Sequence, residues 1–233
     1  AASFGAAVGI LARDAHSPLV QVLAFSFGLG GVAIAYWLAR VRGTIPNVML
    51  ILAGVVVASL FNAGVSITKD PYDDLPAITF WLMGSLVGMR WENLAFAAPV
   101  ILIGAAGLMA AAWRLNLLTM GDDEARSLGV NTQRLKTIAI VCATAMTATA
   151  VSQCGAIGWI GLVIPHMARM LVGPDHRKLL PTAAVLGSTF LLLIDDLTRS
   201  ASETSLPLSI PIALIGAPFF ALLLRRTKAE WVQ

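Results

Sequence analysis

Residues 137–168, TIAIVCATAMTATAVSQCGAIGWIGLVIPHMA, run for 32 positions without a formal charge. As one helix they would be roughly 48 Å long, at about 1.5 Å per residue. That is well beyond the ~30 Å hydrocarbon core of a bilayer. Gln153-Cys154-Gly155, with Gly158 and Gly161 close behind, offers a break that turns one overlong helix into two short crossings. The choice decides the topology, because a single crossing moves every later loop to the other side of the membrane. With two crossings, twelve of the 16 Lys and Arg residues fall on one face, and only Arg13, Lys69, Arg90 and Arg199 on the other. Such a bias is the positive-inside pattern and assigns the richer face to the cytoplasm. With one crossing the bias weakens, so the sequence is read as two.

The rest of the chain agrees with a membrane setting. It is 58% hydrophobic and 12% charged, with a mean hydropathy of +0.80, whereas soluble domains carry about 25% charged residues. Stretches 18–39, 46–67, 94–113 and 209–224 are almost free of charge. Each is near the ~20 residues that cross a bilayer as a helix, and helices are required because lipid offers backbone polar groups no partners. The expected fold is an all-α integral membrane protein, a polytopic helical bundle in which 1–233 form a single transmembrane domain. Residues 1–12 are too short for a full span, so the chain is expected to begin inside a helix. Stretch 77–89 is also too short to cross and reads as an interfacial or re-entrant helix, with Trp81 and Trp91 at the water boundary.

Several function classes are excluded. The pI near 9.2 does not imply nucleic acid, because the basic residues lie in short loops between apolar spans. Cys142 and Cys154 lie in apolar sequence and, with three scattered His, give no metal-ligand spacing. No phosphate loop of the GxxxxGK[ST] type is present, nor HExxH or GxSxG. No catalytic residue, metal or cofactor is therefore assigned to this chain.

Four segments carry more information. In LNLLTMGDDEARSLGVNTQRLK, residues 115–136, Asp122, Asp123 and Glu124 suit a helix N-terminus. Gly129 is placed to end that helix, and Asn131 or Thr132 to cap the next. Two short helices outside the membrane make a platform for a soluble partner; an ordinary solvated loop is the other reading of the same residues. In GAIGWIGLVIPHMAR, residues 155–169, small residues permit close helix packing, Pro165 permits a bend, and His166 and Arg169 share a face. Asp195 and Arg199 are spaced to pair along one helix face, at a functional position or simply at the membrane surface. LPLSIPIALIGAPFF, residues 206–220, holds Pro207, Pro211 and Pro218 in one span, which predicts bends or local breaks in a pathway-lining or merely kinked helix.

SFGAAVGI, LILAGVVVASLFNA, FWLMGSLVGMRW, LNLLTMGDDEARSLGV, GAIGWIGLVIPHMAR, GPDHRKLLP, DDLTR and LPLSIPIALIGAPFF, in this order along the chain, resemble the FecCD type of ABC-importer permease. The resemblance implies the ten-helix bundle of type II importer permeases, with the first two helices and part of the third missing. It also implies a second permease copy or homologue, two cytoplasmic ATPase subunits holding ATP and Mg, an extracytoplasmic substrate-binding protein, and a bacterial inner membrane. Substrates would be iron–siderophore, haem or cobalamin compounds, moved by alternating access. A molybdate-type oxyanion on the same architecture, or an ion-coupled secondary transporter, are the alternatives.

By the same resemblance, 115–135 dock the ATPase through Leu118, Gly121, Asp122, Glu124, Ala125, Leu128 and Gly129. Pro46, Asn47 and Gly54 of the family's fifth helix, with Pro207, Pro211, Gly216 and Pro218 of its tenth, line or gate the pathway. Arg199 docks the binding protein. The sequence departs from the family pattern at Leu208-Ser209 and Pro211-Ile212, where Val-Gly and Leu-Thr are more usual, and Asp196 adds an acid beside Asp195.

Overall fold

The computed structural model describes residues 1–12, 17–40, 46–68, 75–87, 89–201 and 206–231, and the regular structure among them is helical. Arg13, Arg42, Lys69 and the polar stretch 70–74 lie outside the described residues. Among the described residues five helices are long and apolar enough to cross a membrane: α2 (Pro18–Ala39), α3 (Asn47–Ile67), α5 (Trp91–Leu118), α7 (Thr132–Cys154) and α9 (His176–Ala201). The others are α1 (Ala2–Ala12), α4 (Leu75–Met83), α6 (Asp122–Ser127), α8 (Ile160–Val172) and α10 (Ser209–Trp231).

The break in 137–168 falls where the glycines put it. Gly155 ends α7 with φ 74° and ψ −170°, a region that essentially only glycine enters. Four residues on, Trp159 adopts φ 63° and ψ −35°, and the Ile160 amide donates to the Gly158 carbonyl at 2.7 Å. This is a γ-turn of the rare positive-φ kind, and α8 starts from it. The two halves differ from the expected pair of short crossings. The 23 residues of α7 suffice to span, whereas the 13 of α8 rise only about 20 Å.

Other boundaries shift for local reasons. α4 stops at Met83 rather than near residue 89, because Gly84 turns out at φ 70°. α9 begins at His176, earlier than the span read from about 180, since the Asp175 carboxylate accepts the Arg177 amide at 3.0 Å and caps the first turn. The three prolines do not share one helix interior. Pro207 precedes α10, Pro211 lies in its first turn, where an amide has no intrahelical acceptor, and only Pro218 is internal.

The chain divides into two compact units. In the first, Ala1–Leu82 with Gly88–Gly155, α1 lies antiparallel on α2. A Cβ on Gly9 would stand 2.8 Å from Val20 Cα, and one on Gly5 would strike the Leu23 carbonyl. These glycines form the small-xxx-small pattern that lets helices approach closely in lipid. Ala6, Ala7, Ile10, Val20, Ala24 and Ile78 form the buried cluster beside them, with the Phe4 ring edge-on to Phe27 at 5.4 Å. α5 packs antiparallel on α7 in the same way. Gly104 faces Met146 and Gly107 faces Cys142, and Asn93 Nδ2 donates to Gln153 Oε1 at 2.9 Å.

In the second unit, Met83–Val87 with Ala156–Gln233, Ile194, Leu208 and Ile212 are buried together, with Leu86, Ile157, Phe190 and Leu191 packed around them. The Leu208 amide donates to the Gly84 carbonyl at 3.0 Å. Ser209 Oγ donates to the Met83 carbonyl at 2.6 Å and reaches the Ala156 carbonyl at 3.3 Å. Leu208, Ser209 and Ile212, three of the departures from the family pattern, thus build the centre of this unit.

Candidate functional site: a charged docking segment and two lining helices

The short helix α6 is fixed at both ends by glycine. Gly121, its N-cap, has φ 120° and ψ 156°, open in practice to glycine alone, and the Glu124 carboxylate occupies the space a Cβ there would need. At the other end the Gly129 amide donates to the Arg126 carbonyl at 2.9 Å and the Val130 amide to the Ala125 carbonyl at 3.1 Å. Those two bonds, with Gly129 at φ 79°, make a Schellman close. Asn131 Oδ1 then accepts the Arg134 amide at 3.0 Å and caps α7. Ala125 is fully buried, so it seats α6 rather than facing a partner.

Charge pairing orients the same segment. Lys136 Nζ meets Asp122 Oδ2 at 2.6 Å, Arg126 lies 3.8 Å from Asp123, and Arg126 Nε donates to the buried Thr132 hydroxyl at 3.2 Å. Glu124 is exposed, and Leu118, the last residue of α5, is half-buried. Leu128 is 59% exposed, and so is Met120, at 62%, a residue the sequence reading passed over. The surface so formed has two bare apolar side chains beside a carboxylate and a guanidinium.

α3 buries Ala53, Val57 and Val65 and exposes most of the rest. Beyond its first residue, its polar residues Ser59, Asn62 and Ser66 all lie on the exposed side, spaced so that they share a face. The serine hydroxyls donate to the carbonyls of Val55 and Asn62 four residues back, which satisfies them without a neighbouring helix. This stripe was missed from sequence, although its i, i+3, i+7 spacing in an apolar span was there to read. Of the residues expected to line a pathway, Pro46 is the exposed cap of α3 and Gly54 faces open space. Asn47 is the first residue of α3, and its side chain lies outside the described residues. In the second unit, Pro207 and Pro211 are half-buried and Pro218 is exposed. Gly216 is buried, the space beside it taken by Trp159 and Val163, so it serves α8–α10 packing.

Arg199 Nε donates to Asp195 Oδ2 at 2.8 Å, with the Arg side chain 51% and the Asp 12% exposed. The acid is thus buried rather than surface-borne, while Asp196 stays exposed. His166 and Arg169 are exposed on α8, the imidazole edge-on to Phe220 at 6.4 Å. Among the described residues no cluster of His, Cys, Asp and Glu is arranged to hold a metal ion.

Long apolar helices interrupted by glycine and proline, with a short charged helix between two of them, define a multi-pass helical membrane protein. Residues 1–226 match the FecCD transport family, and the chain belongs to it. It is 42% identical over 229 residues to the cobalamin import system permease protein BtuC of Halobacterium salinarum, covering 96% of this chain and 62% of that protein. It is 40% identical over 205 residues to the molybdate import system permease protein MolB of Haemophilus influenzae, covering 87% and 61%. The chain therefore spans about three fifths of the length of these curated relatives. Among solved structures it is similar to an inward-facing transporter assigned to the metal-chelate ABC type. The TM-score is 0.89 at 38% identity, covering 97% of this chain and 72% of the other.

Proposed function

We propose that this chain forms part of the membrane permease of a binding-protein-dependent ABC importer. It works beside a second permease copy or homologue, with ATP hydrolysed in two separate cytoplasmic subunits. The observation that carries most weight is α6: a short helix between two long apolar ones, locked at both ends, offering Met120 and Leu128 beside Glu124 and Arg126. A buried apolar anchor ringed by charge is what a stable docking contact uses, and an idle loop has no need of such fixed ends. In this reading Leu118, Gly121, Asp122, Ala125 and Gly129 hold the platform, while Glu124 and Leu128 meet the ATPase.

Closure of the ATPases moves the platform and opens a pathway between permease copies, lined by the α3 polar stripe, with Pro46 and Asn47 at its cytoplasmic end and the exposed face of α10 contributing. Arg199 meets an acidic lobe of the binding protein on the outer side. The substrate class is a metal chelate such as an iron–siderophore, haem or cobalamin. The likeness to the molybdate permease supports an oxyanion as the second reading. The test is uptake by the complete permease reconstituted with its ATPase and binding protein, against a panel of chelates and molybdate. ATP-dependent uptake that Leu128→Asp abolishes is expected; uptake driven by an ion gradient with no ATPase present rejects the proposal.

A further inference from the structure

Where α2 ends and α7 begins, a cavity of about 380 Å³ opens between them, lined by Tyr36, Arg40, Gln133, Arg134, Thr137 and Ile138. Its size is within the range of small-ligand sites. The hydrogen bonds in it assign the donors. Thr137 Oγ1 donates to the Gln133 carbonyl at 2.9 Å, so the 2.8 Å contact between Tyr36 Oη and Thr137 Oγ1 uses the phenol proton. Both hydroxyl protons are spent within the wall. What remains to meet a ligand is the Gln133 amide and the N–H forks of Arg40 and Arg134, and among the described residues no carboxylate lines the cavity. Asp122 and Asp123, at the start of α6, are paired with Lys136 and Arg126. Neither Arg40 nor Arg134 is in an ion pair among the described residues.

Arg40 and Arg134 both line the cavity and are solvent-exposed, so both can turn toward one anion, and a guanidinium fork matches the oxygens of a phosphate. The location narrows the source. α2 and α7 are both long enough to span, and these arginines stand where both helices leave the apolar band, at the depth of lipid headgroups. Tyr36 and Ile138 give the cavity an apolar wall that a free ion does not need. We propose that this cavity binds the phosphodiester of an anionic phospholipid, holding the ends of α2 and α7 together on the side that carries α6.

The test uses the complete permease, purified in mild detergent and stripped of lipid. Native mass spectrometry then follows retention of phosphatidylglycerol, phosphatidylcholine and inorganic phosphate. The parent protein retains phosphatidylglycerol over phosphatidylcholine, and retention falls as salt is raised. The double change Arg40→Gln with Arg134→Gln lowers phosphatidylglycerol retention roughly thirtyfold, two surface cations' worth, and leaves phosphatidylcholine unchanged. Arg40→Lys with Arg134→Lys recovers part of it through charge without the fork. Arg90→Gln, an exposed arginine capping α5 at the helix end away from the cavity, leaves retention as in the parent protein. Equal loss in Arg90→Gln, salt-independent retention in the parent, or binding of inorganic phosphate in place of the lipid each overturns the proposal.

Discussion

In the unit formed by Ala1–Leu82 and Gly88–Gly155, helices touch through Gly5, Gly9, Gly104 and Gly107, with alanine filling most of the space between. In the unit formed by Met83–Val87 and Ala156–Gln233 the contact is different. There one serine hydroxyl and one amide reach backbone carbonyls at 2.6 and 3.0 Å, around three branched aliphatics. Lipid tails are as apolar as leucine, so neither unit gains much from apolar area alone. The first instead gains from shape: many weak contacts, each available only because a Cβ is missing. The second concentrates its stability in a few polar bonds, and adds a strained turn at Trp159 and an internal proline in each of its three helices. Contacts of shape are lost by adding atoms, and polar contacts by removing one, so the two units should fail under opposite substitutions.

The largest effect should come from filling a glycine in the first unit. Gly9→Leu places a side chain where Val20 Cα already stands and should cost about 3 kcal/mol or more, measured as resistance to denaturing detergent. Gly30→Leu, where nothing lies within 4 Å, is the control and should stay within about 0.5 kcal/mol of the parent. Similar losses at both positions would mean that close approach is not what holds α1 to α2. In the second unit, deletion of one oxygen should suffice. Ser209→Ala leaves the Met83 carbonyl without its short bond and should cost about 1–3 kcal/mol. Amide exchange should rise in Met83–Val87 and Ala156–Trp159 while Ala2–Ala12 stays protected. Uniform exchange changes, or none, would show that the serine is only a surface polar group.

The difference between the units also explains what could be read from the sequence. Spans 18–39 and 46–67 were visible to within a residue because long charge-free runs have one structural solution in lipid. The Gly155 break was visible because a helix of 32 residues does not fit the bilayer. The ends of α6 were legible too, since Gly129 and Asn131 act through bonds made within a few residues of themselves. What stayed hidden depends on the chain returning from far away. Ser209 differs from the expected glycine by one hydroxymethyl group, and its acceptor is 126 residues distant in sequence. Gly216 looks like a pathway glycine until Trp159 and Val163 are placed against it. The Ser59–Asn62–Ser66 stripe is a different case: its periodicity is local, but each serine bonds its own helix, so nothing else in the sequence marks it.

Trp159 sharpens the comparison at lower energy. Its φ of 63° is unfavourable for any residue with a Cβ, while its ring packs edge-on to Phe220 at 6.3 Å. Both Trp159→Ala and Trp159→Gly lose the ring, but only glycine relieves the backbone. The glycine variant should therefore be the more stable by about 1 kcal/mol, read from unfolding in mixed micelles. The reverse order would mean that the turn relaxes once the ring is gone and that no strain is held there.

The smallest effect concerns whether the first unit keeps its rule of shape in the charged segment outside the apolar helices. There the 2.6 Å contact between Lys136 and Asp122 looks like the counter-example, a polar bond of the second unit's kind. Its two ends are unequally exposed, with the Lys side chain at 14% and the Asp at 43%, so deleting each end should give different results. Lys136→Met removes the cation and leaves a half-exposed carboxylate that water can solvate, a change of about 0.5 kcal/mol or less. Asp122→Asn leaves a mostly buried ammonium with a weaker partner, and should cost more, about 1 kcal/mol. The pair of changes made together should return to the Lys136→Met value, because the ammonium that caused the larger loss is then gone. Equal small losses for both single changes would mean that the Schellman close and the buried Ala125 hold α6 unaided. A loss in the double variant equal to the sum of the singles would mean the two groups act independently and that the short contact contributes nothing.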